Sequence, residues 1–364
     1  MHRLCTGCDG LILHQKGVKL SNLIFSCMKN EGPFLLEWIS FHRAIGFDQF
    51  LIFTNDCEDG SDDLADLLAS KGMITHVRNN DYQKRGPQWT ALNSPSLRKA
   101  LKGVDWALHL DLDEFLNIKV GDGQISDLIN KIGDPDAISI PWRFFGNAGV
   151  TDFQDVPILE QFTKCAPYPI MFPRQAMMFK TLFRPSDALD RGGVHAPRLS
   201  KDANLSDLTW LNGDGRRVSE TFNPKNPILY RKNFGNNLAQ INHYALRSME
   251  SFLVKSERGL PNMGHVPVDV SYWVRRNFNN LEDKSLADGN FQNDLNDDPD
   301  LLQAHQKCCK WHGDKILELL GKAHGIDLYS AIATAGDSIV PDPSHTKKLY
   351  HHLGRVFGGG RSKS

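Results

Sequence analysis

The strongest constraint on the fold is an alternation of short apolar runs with helix-like stretches across the first 142 residues. NLIFSCM at 22–28 is apolar and short enough to predict a buried strand. Lys29-Asn30-Glu31-Gly32-Pro33 follows, and Pro33 suits the first turn of a helix, where its missing N–H costs nothing. Leu35, Trp38, Phe41 and Ile45 recur near helical spacing, and Gly46 supplies a stop. QFLIFT at 49–54 predicts a second strand, followed by a polar turn, Asn55–Ser61. A helix through Leu64, Leu67 and Leu68 comes next, with Asp62 and Asp63 at its positive end, and Gly72 ends it. MITHVR predicts a third strand and 87–102 another helix, with Pro95 as its weak point. DWALHL at 105–110 and AISIPW at 137–142 predict two more strands. Such alternation implies an α/β fold with a largely parallel sheet covered on both faces. Ligands of such sheets bind beyond the carboxyl ends of the strands. Asn30, Asp56 and Asp113 each fall just after a predicted strand and so converge on one crevice.

Composition narrows the class. The 364 residues are 40% hydrophobic and 23% charged, ordinary globular usage that excludes a disordered chain. With 42 basic and 43 acidic residues the net charge is −1, which argues against a nucleic-acid partner. No apolar run approaches the ~18 residues of a membrane span, and residues 1–17 lack a secretory pattern. Seven scattered cysteines read as reduced thiols of a cytoplasmic protein. Cys5 and Cys8, with Cys308, Cys309 and His312, are a weak zinc candidate, since neither half repeats a zinc-ribbon pattern.

After residue 150 the pattern loosens. Helices are expected over 242–259 and 301–335, and a loop over the acidic, Asn- and Gly-bearing stretch 282–300. The tail carries Lys347, Lys348, Arg355, Arg361 and Lys363 and no acid after His345. It reads as a mobile, solubilising end; contact with an anionic membrane surface is the alternative. The expected organisation is a lead at 1–20, a main α/β domain at 21–260, a helical region at 261–340 and the tail at 341–364.

The sharpest chemical feature is Asp111-Leu112-Asp113 at the end of an apolar strand. Two carboxylates one residue apart can both reach a hard cation, and Mg²⁺ or Mn²⁺ often binds substrate phosphates too. A solvated turn is the bland reading, and DxD alone is a weak motif. The apolar flanks WALHL and Phe115-Leu116 favour function, because they hold the acids at a core edge. Two classes could use this site: a nucleotide-sugar glycosyltransferase, or a haloacid-dehalogenase-type phosphatase with Asp111 as nucleophile. The phosphatase places DxD at its first strand and follows it with Thr or Val. Here the motif comes late and Glu114 follows, which favours the transferase. A non-catalytic nucleotide- or glycan-binding protein is the third possibility.

Four strings carry a resemblance: CMKNEGPFLLEWISFHRAIGFDQFLIFTNDCEDGSDDL, HLDLDEFL, WRFFGNAG and NHYALRSMESFLVKSERG. Together they resemble the bacterial family 2-like glycosyltransferases and are similar to glycosyltransferase family 92, over roughly residues 22–260. The resemblance implies a GT-A type nucleotide-sugar-binding fold, a UDP-sugar donor, Mn²⁺ or Mg²⁺, and a hydroxyl of a glycan or lipid-linked acceptor. It implies inverting hexose transfer in cell-surface polysaccharide or lipopolysaccharide synthesis, at the inner face of the membrane. Asn30 and Glu31 would lie near the base and ribose, with Asn55 and Asp56 in the next loop and Gln88 facing the donor. Asp111 would touch ribose or metal, Asp113 would be the main metal ligand, and Glu114 would brace the loop. His195 or His243 would add a metal ligand. Lys180, Arg184, Lys255 and Arg258 are candidates for the diphosphate, the last two on one helix face. Glu160 is the candidate general base, with Asp152 and Asp155 as rivals.

Overall fold

The computed structural model describes residues 20–82, 86–230, 233–260, 267–288 and 294–358. Its first half follows the alternation. Strands β1 (Asn22–Met28), β2 (Gln49–Thr54), β3 (Thr75–Arg78) and β4 (Trp106–His109) are linked by α1 (Gly32–Ala44), α2 (Ser61–Ser70), α3 (Pro87–Leu92) and α4 (Pro95–Leu101). The strands run parallel in the order β3-β2-β1-β4. The single helix expected over 87–102 is two. Pro95 cannot continue a helix, and Ser94 starts a new one by accepting from the Leu97 N–H at 3.1 Å.

After Asp111-Leu112-Asp113 the chain turns back into β5 (Glu114–Ile118), then α5 (Ile125–Ile132), β6 (Ala137–Phe144), α6 (Ile158–Gln161) and β7 (Lys164–Cys165). Next come β8 (Phe179–Phe183), β9 (Trp210–Asn212), β10 (Ala239–His243), α7 (Met249–Arg258), α8 (Val270–Val274) and β11 (Leu281–Glu282). Helices α9 (Pro299–Leu320), α10 (Ala323–Ala335) and α11 (Pro343–Gly358) close the chain. Strand β8 sits antiparallel between β4 and β6; β10 is parallel to β6 and antiparallel to β5. With β9 parallel to β6, the described residues form a nine-stranded, mostly parallel sheet. Strands β7 and β11 pair separately.

The helix expected over 242–259 begins later, at Met249 under a Ser248 cap, because Asn242 and His243 belong to β10. The expected mobile tail is helical through α11, and the Tyr350 hydroxyl donates to the Met171 carbonyl. Arg361 and Lys363 lie outside the described residues, as do Cys5, Cys8 and the lead at 1–19. Among the described residues no helix is long and apolar enough to cross a membrane.

Successive residues of β1 face opposite layers. Ile24 packs with Leu35, Trp38 and Ile39 of α1, in a cluster that also holds Leu301 and Cys308 of α9. Leu23 and Phe25 pack with Leu97, Leu101 and Phe179 on the other face. Burial on both faces is why these strands read as continuous apolar runs. Helix α9 packs on α1, α2 and α7, so the C-terminal helices share the main core. Gly32 permits this approach: a Cβ there would collide with the Cys308 side chain.

The core also holds His42. Its Nδ1 lies 2.8 Å from the Trp38 carbonyl, and its Nε2 accepts from the Leu116 N–H at 3.4 Å. Burial pushes its pKa down from 6.5 to about 3, so the imidazole is neutral. The unfolded state therefore binds its proton first, and stability falls as pH drops below 6.5. Between pH 6.5 and 5 this one ring should remove about 1.5 kcal/mol. Urea titrations across that range should show His42→Gln losing about 1.5 kcal/mol less than wild type. Parallel slopes for the two proteins would mean that His42 is not held neutral.

Candidate active site

A cavity of about 720 Å³ opens beyond the carboxyl ends of the parallel strands. Its wall includes Lys29 and Glu31 after β1, Asn55 and Asp56 after β2, and Asp111 and Asp113 after β4. Gln88, His195, His243, Lys255 and Arg258 also line it. Most of the residues singled out in the sequence thus converge.

The turn that carries the two aspartates is pinned from several sides. The Asp111 N–H donates to Glu114 Oε2 at 2.9 Å, the bracing role expected of Glu114. Trp38 Nε1 donates to the Glu114 carbonyl at 2.9 Å, the Tyr244 N–H to the Asp113 carbonyl at 2.8 Å, and Arg247 to the Leu112 carbonyl at 3.2 Å.

Each aspartate has its own cation. Asp113 Oδ2 accepts from Lys255 Nζ at 2.7 Å, and its Oδ1 lies 3.6 Å from His243 Nε2. Burial opposes the Asp113 charge, but Lys255 and His243 overcome it and hold the carboxyl well below the usual carboxylate range. Asp111 keeps a third of its side chain exposed, and its Oδ2 accepts from Lys180 Nζ at 2.8 Å. Lys180 also lies 3.1 Å from Glu114 Oε2. Burial pushes the Glu114 carboxyl well up and Lys180 draws it back, so one buried lysine serves both Asp111 and Glu114.

Two diphosphate candidates are therefore displaced. The Lys180 side chain is 0% exposed and stands behind the turn, outside the cavity wall. The antiparallel course of β8 puts Lys180 beside the carboxyl end of β4 and Arg184 near its start. Arg184 instead pairs with Asp134 and stacks on Trp106. Glu160 is also displaced. It is exposed on α6 and absent from the cavity wall. The buried acid at that helix is Glu37, which accepts from the Ile158 and Leu159 N–H groups at 2.8 and 3.1 Å. Asp152 and Asp155 are exposed as well. Asn30 shapes the loop rather than the cavity wall, its Oδ1 accepting from the Glu58 N–H at 2.8 Å.

Glu31 is held by two arginines, Arg247 at 2.6 Å and Arg258 at 2.5 Å. Arg258 is therefore engaged with a carboxylate while it lines the cavity. Asn30, Asp56 and Arg247 have positive φ values of 51°, 45° and 60°. Asn and Asp tolerate this region; Arg does so only where its surroundings impose it, and such strain gathers at functional sites.

The two histidines differ. His195 Nδ1 lies 2.9 Å from the Phe179 carbonyl, and burial lowers its pKa to about 4. A neutral ring anchored this way leaves Nε2 as a lone pair, the arrangement common in metal-ligating histidines. His243 is lowered by burial, partly offset by Asp113. Among the described residues, these rings and the two aspartates do not close into three ligand atoms within 4.8 Å of one another; Asp155, His305 and Cys309 do. The expected Cys308-Cys309-His312 group is split. Cys308 turns toward Gly32, His312 toward Ser251, and Cys309 toward His305.

Several wall residues escaped the sequence reading. Tyr82 donates to Asp56 Oδ2 at 2.5 Å. Trp142 lies between the two histidine rings, tilted against His243 at 4.3 Å and edge-on to His195 at 5.4 Å. Arg276 lies over the Tyr272 ring at 3.6 Å and the Phe144 ring at 5.6 Å, its Nη1 donates to the Tyr272 carbonyl at 3.3 Å, and its buried Nε has no partner among the described residues. Where Lys255 and Arg258 have carboxylates, Arg276 has aromatic faces. The one signal for it was the pair Arg275-Arg276 after the apolar SYWV, in a region without a recognised motif.

No family model matches the chain. Its curated relatives include glycosyltransferase family 92 proteins. The Oryza sativa subsp. japonica protein is 23% identical over 293 residues, covering 74% of this chain and 44% of that protein. The Arabidopsis thaliana protein is 28% identical over 111 residues, covering 30% and 19%. The Ricinus communis protein is 30% identical over 101 residues, covering 27% and 17%. The chain spans less than half the length of each. These are plant proteins, so they carry the family 92 side of the resemblance and not its bacterial, family 2-like side. Among solved structures, HddC from Yersinia pseudotuberculosis matches with a TM-score of 0.24 and 8% identity, over 40% of this chain and 68% of that one. A putative glucose-1-phosphate thymidylyltransferase from Bacillus anthracis, in complex with a sucrose, matches with a TM-score of 0.25 and 10% identity, over 45% and 71%. Overlaps this partial carry no weight here.

The buried position of Lys180 yields a test. Lys180→Met removes the cation facing Asp111 and should cost roughly 3–5 kcal/mol of stability in urea unfolding. A variant as stable as wild type but unable to bind nucleotide would return Lys180 to the diphosphate role.

Proposed function

We propose that this chain is a metal-dependent glycosyltransferase that moves a hexose from a UDP-sugar to a hydroxyl of a glycan or lipid-linked acceptor. One observation carries the reading: two ionised aspartates at the carboxyl edge of a parallel sheet line a cavity whose wall also carries Lys255, Arg258, Arg275 and Arg276. The names of the curated relatives support glycosyl transfer. Cell-surface polysaccharide or lipopolysaccharide synthesis remains the pathway that the sequence resemblance implies.

Asp111 and Asp113 are the residues that would hold Mn²⁺ or Mg²⁺, because their hard oxygens suit such ions. His195 has the anchored, neutral ring of a further ligand. The ion would supply Lewis-acid stabilisation of the departing diphosphate. The remaining roles fall to the chain itself. Lys255 and Arg276 place positive charge where the leaving group develops its negative charge. Tyr82, Asn55 and Asp56 form the wall for the nucleoside. Glu31, fixed between Arg247 and Arg258, sets the β1–α1 loop against α7. With Glu160 outside the cavity, an inverting step through that acid is not part of this reading.

UDP release from a panel of UDP-hexoses, with Mn²⁺ and candidate acceptors, tests the proposal. At least one donor should be consumed, and EDTA should stop the reaction. Arg276→Ala should raise the donor KM about tenfold or more, the loss of one charge-assisted contact. Phosphomonoester hydrolysis with no UDP-sugar consumed would instead identify a phosphatase. Donor bound but never turned over would identify a binding protein.

A further inference from the structure

At the edge of the buried face of α9, outside the cavity wall, three side chains of different chemistry meet. His305 and Cys309 are four residues apart on the helix and so share one face. Asp155 reaches them from the loop before α6. His305 Nε2 lies 2.8 Å from Asp155 Oδ1 and 3.4 Å from Cys309 Sγ. All three ligand atoms lie within 4.8 Å of one another. Nothing in the proposed reaction uses them.

We propose that Asp155, His305 and Cys309 form a zinc-binding site. The ligand set selects the ion, because a thiolate with an imidazole suits zinc and is a poor match for Mg²⁺. The spacing fits as well. Zinc bonds of about 2.05 Å to nitrogen and 2.3 Å to sulfur give a tetrahedral N–S edge of roughly 3.5 Å. The observed 3.4 Å is nearly that edge without rearrangement. The Asp155 edge is shorter, and an exposed loop carboxylate can withdraw the few tenths of an ångström required. His305 is only 5% exposed, so helix packing already pays the ordering cost of its ring. Binding takes His305 as its Nδ1–H tautomer, the proton that Nε2 shares with Asp155 moving to Nδ1, together with the Asp155 carboxylate and the Cys309 thiolate, whose proton passes to solvent. A water would complete the shell on the exposed side.

The ion would tie α9 to the loop that leads into α6. Helix α9 packs on α1, which starts at the cavity, and on α7, which carries Lys255 and Arg258. Zinc here would thus steady the outer support of the cavity without touching its contents.

The test uses the full chain with Cys5 and Cys8 changed to Ser, so that the N-terminal pair cannot contribute. Dialysis against zinc followed by metal analysis should find one zinc per chain. Zinc in hundredfold excess over Kd should raise Tm by about 3–5 °C, and should protect Cys309 from alkylation. Cys309→Ser and Asp155→Asn should each lose the bound zinc and the Tm rise, while Cys308→Ser keeps both. Cobalt in place of zinc should show a thiolate charge-transfer band that Cys309→Ser abolishes. Zinc content unchanged in Cys309→Ser and Asp155→Asn would overturn the proposal. So would zinc that neither binds nor protects Cys309 in the parent protein. Because Asp155 is exposed, its substitution keeps the test decisive even if a Cys309 variant folds poorly.

Discussion

Two carboxylates one residue apart at the edge of a core repel each other and lose hydration, and both stay ionised only if a cation faces each. Lys180 faces Asp111 from behind the turn, and Lys255 contacts Asp113 at the cavity wall, 2.7 Å away. Much of the architecture serves that requirement. Strand β8 is inserted antiparallel beside β4 and brings Lys180 to the carboxyl end of that strand. Helix α7 follows β10 and brings Lys255 to the other side. Removing either lysine leaves a buried or half-buried charge uncompensated, which is costlier than never having built the pair.

A second ionic knot ties the same elements together. Glu31 opens α1, and Arg247 and Arg258 bracket α7. Arg247 also donates to the Leu112 carbonyl in the aspartate turn and lies 3.5 Å over the Phe34 ring. Its positive φ of 60° is the conformation this triple engagement demands. The cavity is thus framed by charges whose partners come from distant parts of the chain, while Arg276 rests on aromatic rings with hydrogen-bonding capacity to spare. A guanidinium held that way is prepared for an oxyanion.

The first half of the fold was legible because β1, β2 and β4 are buried on both faces and each helix between them starts at a polar turn. Strands β5 and β10 were not, because Glu114-Phe115-Leu116 reads as the tail of the aspartate turn and Asn242-His243 as the start of a helix. Their strand character comes from pairing with each other across the sheet, a long-range fact. The aspartates, Lys255 and Arg258 were legible through motif spacing. Lys180 was misread, since a buried counter-ion and a phosphate ligand are the same residue type in a sequence. Glu160 was misread for the converse reason: the acid that is buried there, Glu37, comes from α1, 123 positions earlier in the chain. Arg276 gained its place only from the packing of Tyr272 and Phe144.

In the proposed function the aspartate edge and the cations lining the cavity together bind a nucleoside diphosphate through a divalent ion. Titration calorimetry of UDP tests it most directly, run with Mn²⁺ and then with EDTA on wild type and Asp113→Asn. UDP binding should require Mn²⁺ and disappear in the variant, whose circular dichroism should remain that of the folded protein. UDP binding indifferent to Mn²⁺ and to the substitution, or no UDP binding with the ion present, would contradict it.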